Sequence, residues 1–226
     1  MIVKPSIESG GGNNVQLFVA DKDGAWADAS GRSLSLRSLD DASDCDLVVQ
    51  ERLQQHDFFE KFNSSSVNTV RVLTYKSVVS GEIHILHTVL RVGVKGDWVD
   101  NSRAGGYSIG VRPDGTLNTF GCTKNGVQHT WINDVDLQSQ ALSIPEFGRI
   151  LQCAKEIASK NLHHRLLGLD MMLDRDGNPR CIEINNRGNE INFYQLNNGP
   201  LFGEYTPEVV DYCKVNRHRL YRSYTI

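Results

Sequence analysis

The chain alternates apolar and polar positions in short runs separated by turn residues, the pattern of half-buried strands more than of long helices. Met1 to Pro5 reads as a strand with a lysine, Lys4, inside it. Val15 to Ala20 reads as a second strand, turned at Asp21-Lys22-Asp23-Gly24. Asp46 to Arg52 is a strand that ends in polar residues. Ser66 to Val79 is long and rich in β-branched residues, and Ser80-Gly81 turns it into Glu82 to Val94 as an antiparallel partner. Ser108 to Val111 and Thr116 to Phe120 form a hairpin over Pro113-Asp114-Gly115. Helical spacing is clearest from Ser143 to about Asn161. There Ile144, Phe147, Ile150, Leu151, Ala154, Ile157 and Ala158 share a face, and Ser143 with Glu146 spells a capping box. Thr206-Pro207-Glu208 opens a last helix with Thr206 as its cap. Short helical turns are expected at Ser33 to Asp40 and Gln54 to Asn63. His129 to Asp134 carries no periodicity, and Arg187 to Asn192 reads as a polar turn.

The stretch from Gly168 to Asn185 carries the most chemistry. Asp176-Gly177 between apolar runs predicts a two-residue hairpin of type I′, which needs positive φ at both central positions. Counting outward places Asp170 opposite Glu183 and Gly168 opposite Asn185, all four on one face. Leu169, Met171, Leu173, Ile182 and Ile184 then form the core face. Side chains across a ladder stand roughly 5 Å apart at Cβ. Two carboxylates and a carboxamide grouped there, with a glycine leaving room, make an oxygen-donor set for a hard cation, Mg2+ above all. A solvated hairpin with its acids facing water is the alternative, and a longer turn would shift the register by one.

With 226 residues the chain can fold as one or two domains. Charged residues at 23% and apolar ones at 39% fit a soluble globular protein. A net charge of -3 gives no pull toward nucleic acid or acidic membranes, and no apolar run reaches membrane-span length. Cys45, Cys122, Cys153, Cys181 and Cys213 are scattered without a Cys-x-x-Cys pair, which argues for a reducing, cytoplasmic setting and against structural zinc. The histidines show no zinc-type spacing, and His163-His164 reads as a helix end. The basic tail (Lys214, Arg217, His218, Arg219, Arg222) reads as a solvated helix end. No serine or cysteine lies in a nucleophile–base motif. Oligomeric state is open.

Between the first two strands lies Ser9-Gly10-Gly11-Gly12. Consecutive glycines let backbone N–H groups approach an anion, although a mobile hairpin tip would look the same. The spacing matches neither the dinucleotide fingerprint nor the P-loop. Taken together, the lysine strand, the Gly-rich flap, a strand ending in Gln-Glu and a late hairpin with Asp then Glu-x-Asn resemble the ATP-grasp superfamily. The sugar-transfer-associated, glutamate-ligase-like branch is the closer likeness. It rests on Val48-Val49-Gln50-Glu51, on Asn63 to Arg71, on Leu90-Arg91-Val92-Gly93 with Val99-Asp100-Asn101 and Ala104-Gly105-Gly106, and on Gly168-Leu169-Asp170 with Ile182 to Asn185. It extends from Lys4 to about Tyr212.

The resemblance implies an α+β ATP-grasp fold, two α+β subdomains with antiparallel sheets enclosing a nucleotide cleft. Residues 1–53 would be a partial lid subdomain with flap and hinge, and 54–226 the subdomain with metal site and substrate loops. Lys4 would contact the α- and β-phosphates of ATP, and Gly10, Gly11 and Gly12 would close over them. Gln50, Glu51 and Leu53 would line the adenine. Asp170, Glu183 and Asn185 would hold one or two Mg2+ ions. Arg71 and Arg91 would point into the cleft and stabilise the acyl phosphate; without the resemblance they read as strand charges at a sheet surface. Asn101 would border the acceptor site, and Arg187 would belong to the carboxylate pocket. The implied activity joins a small or sugar-linked carboxylate to an amine, or to a thiol, through an acyl phosphate, in polysaccharide or cell-surface biosynthesis. A nucleotide-binding remnant without turnover and an ATP-grasp phosphotransferase are the alternatives. Members usually carry a domain before the lysine strand, so the fold is expected to be N-terminally truncated.

Overall fold

Strand-forming residues at both ends of the first fifty positions meet in one small sheet. The computed structural model describes residues 1–6, 15–40, 46–95 and 106–217. Contacts divide it into two units, Met1–Gln54 and Gln55–Ile226. The first unit contains β1 (Ile2–Pro5), β2 (Gln16–Leu17), β3 (Val19–Ala20), β4 (Trp26–Ala27), the short α1 (Leu36–Asp40) and β5 (Leu47–Gln50). Its main sheet has the order β2-β1-β5, both pairings antiparallel. The expected strand from Val15 to Ala20 is interrupted at Phe18. The Phe18 ring is fully buried, and the Phe18 backbone N–H donates to the Met1 carbonyl at 2.9 Å. The Asp21 to Gly24 turn forms as expected, with Gly24 at φ 83°.

The second unit is built on a seven-stranded antiparallel sheet. Its elements are α2 (Asp57–Glu60), β6 (Thr69–Lys76), β7 (Ile83–Val92), β8 (Tyr107–Val111), β9 (Leu117–Thr123), β10 (Gln128–His129), β11 (Trp131–Ile132), β12 (Val135–Asp136), α3 (Phe147–Lys160), β13 (Leu166–Leu173), β14 (Pro179–Asn185), α4 (Ile191–Asn198) and α5 (Thr206–Val215). The strand order is β10-β9-β8-β7-β6-β13-β14. One face buries Val70, Val72, Leu90, Ile109, Leu169, Met171 and Leu173 against Ile150 and Ala154 of α3 and against Phe58, Phe59 and Phe62. Alternation then sends Arg71, Arg91 and Asp170 to the other face, where Tyr194 of α4 packs on Leu73 and Val89. α5 is tied to the sheet by the Tyr75 hydroxyl, which donates to Glu208 at 2.7 Å. The whole is mixed α+β with antiparallel sheets, as expected. Among the described residues no helix is long and apolar enough to cross a membrane.

Four expectations need correction. The capping box does not form. Ser143 bridges Thr116 and the Ile144 N–H donates to the Gly115 carbonyl, so this segment stays extended against the β8–β9 turn. α3 therefore begins only after Glu146, which sits at φ 49° without a side-chain cap. In the last helix Thr206 is already helical, and its hydroxyl donates to the Gly203 carbonyl instead of capping. His129 to Asp134 is not irregular: β11 and β12 make a small hairpin that turns at Asn133, φ 51°. The polar turn after Asn185 is short, because α4 starts at Ile191.

Candidate functional site

The hairpin of β13 and β14 does not turn where the Asp176-Gly177 pair suggested. Its loop runs from Asp174 to Asn178: the Asp174 N–H donates to the Asn178 carbonyl at 3.0 Å and the Gly177 N–H to the Asp174 carbonyl at 2.9 Å. Only Gly177 takes a positive φ, 78°, so the type I′ turn is replaced by a three-residue loop with one left-handed glycine. The Asp174 side chain accounts for the choice. Its Oδ1 accepts from the N–H groups of Asp176 and Asn178, and its Oδ2 from Arg180 Nε at 2.8 Å. These bonds hold its carboxyl below the ordinary carboxylate range.

The longer loop offsets the register by one, pairing Leu173 with Pro179 and Met171 with Cys181. A bulge at Ile182 then absorbs the extra residue. Beyond it Asp170 faces Glu183, Leu169 faces Ile184 and Gly168 faces Asn185. The expected core face holds on β13, where Leu169, Met171 and Leu173 are buried. It fails on β14, the edge strand, where Ile184 is 48% exposed and Ile182 half-buried.

Glu183, Asp170 and Arg71 stand in one row across β14, β13 and β6. Arg91 reaches the same point from β7. Asp170 is 3% exposed. Its Oδ1 accepts from Arg71 Nε at 2.6 Å, and its Oδ2 from Arg71 Nη2 at 2.6 Å and Arg91 Nη1 at 3.0 Å. The fork geometry orients the Arg71 guanidinium, which also lies over the Phe193 ring. By contrast, Glu183 is exposed, and among the described residues its carboxylate has no hydrogen bond or ion pair. The Asn185 amide donates to the Gly168 carbonyl at 3.3 Å. The room expected beside Gly168 is filled: a Cβ there would lie 2.4 Å from Asn189 Oδ1 and 3.2 Å from the Tyr194 hydroxyl. The nearby Cys181 is exposed, and its thiol donates weakly to the Glu183 carbonyl at 3.6 Å.

In the first unit Lys4 faces Val48 and Ile2 faces Gln50, which places Lys4 and Gln50 on one face of the β1–β5 pair. Their diagonal spacing is about 7–8 Å. Gln50 and Glu51 are exposed and Leu53 is half-buried. Gly10, Gly11, Gly12 and Asn101 lie outside the described residues. Arg187 is exposed and, among the described residues, makes no hydrogen bond or ion pair. Asn189, Phe193 and Tyr194 were missed by the sequence reading. Their only signal was an aromatic pair shortly after Glu-x-Asn.

Oxygen donors of this kind suit Mg2+, which is typically held by one or two carboxylates and substrate phosphates. Glu183 and Asn185 fit that requirement. Asp170 contributes a carboxylate already engaged by two arginines, and among the described residues no group of three or more His, Cys, Asp or Glu converges on one point.

No curated protein and no solved structure matches the chain. The family described as sugar-transfer associated ATP-grasp matches residues 1–208. That covers most of the chain and both units, and it makes the protein one of the ATP-using enzymes: the chain belongs to the sugar-transfer associated ATP-grasp family.

Proposed function

We propose that the protein is an Mg·ATP-dependent carboxylate–amine ligase, or carboxylate–thiol ligase, acting on a small or sugar-linked carboxylate. The observation that carries this is the row Glu183–Asp170–Arg71 with Arg91 beside it: metal-type oxygen donors and two oriented guanidiniums on one sheet face. Family membership supplies the nucleotide. In the reaction, a substrate carboxylate oxygen attacks the γ-phosphorus, the bond to the β-phosphate oxygen breaks, and ADP leaves. An amine then attacks the acyl carbon, phosphate departs, and the amine's proton goes to solvent or phosphate. Such chemistry asks the protein for positioning and charge neutralisation and needs no protein nucleophile.

The roles in this reading rest on family membership and, for Arg71, Arg91, Glu183 and Asn185, also on their shared sheet face. Arg71 and Arg91, kept in fixed orientation by Asp170, stabilise charge on the transferring phosphoryl group. Glu183 and Asn185 would hold Mg2+, which when bound neutralises the phosphate oxygens. Lys4 contacts the α- and β-phosphates, with Gly10, Gly11 and Gly12 over them. Gln50, Glu51 and Leu53 receive the adenine, Asn101 borders the acceptor, and Arg187 takes the substrate carboxylate. Residues 1–53 serve as the lid and 54–226 carry the metal and substrate groups.

Calorimetry of ATP binding with and without MgCl2 tests the first half of this reading. ADP release requiring both an added carboxylate and an amine or thiol tests the second. Release that requires only an alcohol would show phosphotransfer instead, and Mg-dependent binding without release under any panel would show a nucleotide-binding remnant.

A further inference from the structure

Two buried polar atoms beside the Asp170 row have no hydrogen-bond partner among the described residues: the Tyr194 hydroxyl and Asn189 Oδ1. Orphans of this kind are rare in native proteins and call for an explanation. Tyr194 is 0% exposed. Burial raises its pKa, so the hydroxyl remains a donor at neutral pH. Asn189 Oδ1 can only accept. Donor and acceptor both border one point, the place a side chain at residue 168 would occupy, at 3.2 Å and 2.4 Å. The absence of that side chain leaves room for both.

The same notch is tied to the end of β14. Asn189 Nδ2 donates to the Asn185 carbonyl at 3.4 Å, and Asn185 Nδ2 to the Gly168 carbonyl at 3.3 Å. The first bond holds the Asn185 backbone and the second turns its side chain, leaving Oδ1 as the free donor atom. Both are longer than an ordinary N–H···O bond, which leaves them room to shorten.

We propose that Asn189 and Tyr194 are positioning residues for the metal-binding end of β14, the Tyr194 hydroxyl closing onto Asn189 Oδ1 across the Gly168 notch when Asn185 engages Mg2+. This rests on the ligase reading only in so far as that reading gives Asn185 a metal. Groups behind a metal ligand orient it, and their loss typically weakens metal affinity. The arrangement has a signature that ordinary packing lacks. In the unloaded protein the hydroxyl is unpaired, so removing it costs nothing; in the loaded protein it is paired, so removing it weakens binding.

The test uses the full chain with Tyr194→Phe and, separately, Asn189→Ala. Thermal unfolding is followed without ligand and then at fixed ATP across a MgCl2 titration. For Tyr194→Phe the unliganded midpoint should stay at or above that of the unsubstituted protein. The Mg2+ concentration for half of the ATP-induced shift should rise about 10-fold in both variants. An unliganded midpoint that falls in Tyr194→Phe would show a packing role and overturn the proposal. So would an unchanged Mg2+ requirement in both variants. If the unsubstituted protein shows no Mg-dependent shift, the ligase reading fails and takes this one with it, an outcome distinct from the other two.

Discussion

Asp170 stands opposite Glu183 across β13 and β14 although the loop joining these strands is one residue longer than a type I′ turn. Two irregularities cancel: the three-residue loop displaces the ladder, and the bulge at Ile182 displaces it back. Deleting Ile182 therefore leaves Met171 paired with Cys181 and brings Glu183 next in line against Asp170. The deletion protein should keep Mg-dependent ATP binding and lose about 1 kcal/mol of stability, an ordinary cost for one half-buried residue. Urea unfolding and calorimetry check both parts. Lost binding in a folded deletion protein would mean that the bulge itself aims the donors.

Asp170 is a buried counter-ion shared by two guanidiniums, and its removal takes that charge from both. Asp170→Asn keeps the shape and one acceptor oxygen but not the charge. Removing one partner of a buried pair costs about 3–5 kcal/mol. Urea unfolding of Asp170→Asn should show a loss of that size. A loss below about 1 kcal/mol, the range of exposed pairs, would show that the cluster is solvated.

Glu183 offers the opposite profile. It is exposed and unpaired among the described residues, so Glu183→Gln should change stability by no more than about 0.5 kcal/mol. As a Mg2+ ligand it should still be needed for Mg-dependent ATP binding. Calorimetry of the variant at several MgCl2 concentrations decides this, and binding equal to that of the unsubstituted protein would remove Glu183 from the site.

His87 makes stability depend on pH. Its ring is buried, and Nε2 donates to the carbonyls of Leu201 at 3.0 Å and Pro200 at 3.2 Å. Burial pushes its pKa below 6.5, and the two carbonyls offset this only in part. The unfolded chain then takes up the proton first as the pH falls. Stability from this group is full above 6.5, declines below it, and levels off beneath the lower folded-state pKa. Unfolding midpoints between about pH 7.5 and pH 5 should show that decline. His87→Gln should flatten it; a decline of equal size in the variant would assign it to other groups.

Local signals decide much of the architecture. β-branched runs give β6 and β7, and the periodic apolar face gives α3. Both depend on neighbours close in sequence, where propensity and period act directly. The capping box at Ser143 did not form, because a contact with Thr116, 27 positions earlier, held the segment extended. Nor could the sequence show that the turn was one residue too long and a bulge repaired it. The register is settled by the whole sheet, since Leu169, Met171 and Leu173 must face α3 whatever the loop does.

Long-range pairing likewise made Asp170 an arginine anchor: its partners lie 99 and 79 positions away. The same holds for Tyr194 and Asn189, which come to Gly168 only because α4 folds back over the sheet. Residue types and spacing carried the kind of chemistry, oxygen donors with guanidiniums. Which carboxylate is buried and paired and which remains open was decided by the strand order β6-β13-β14, because an inner strand is flanked by neighbours on both sides and an edge strand on only one.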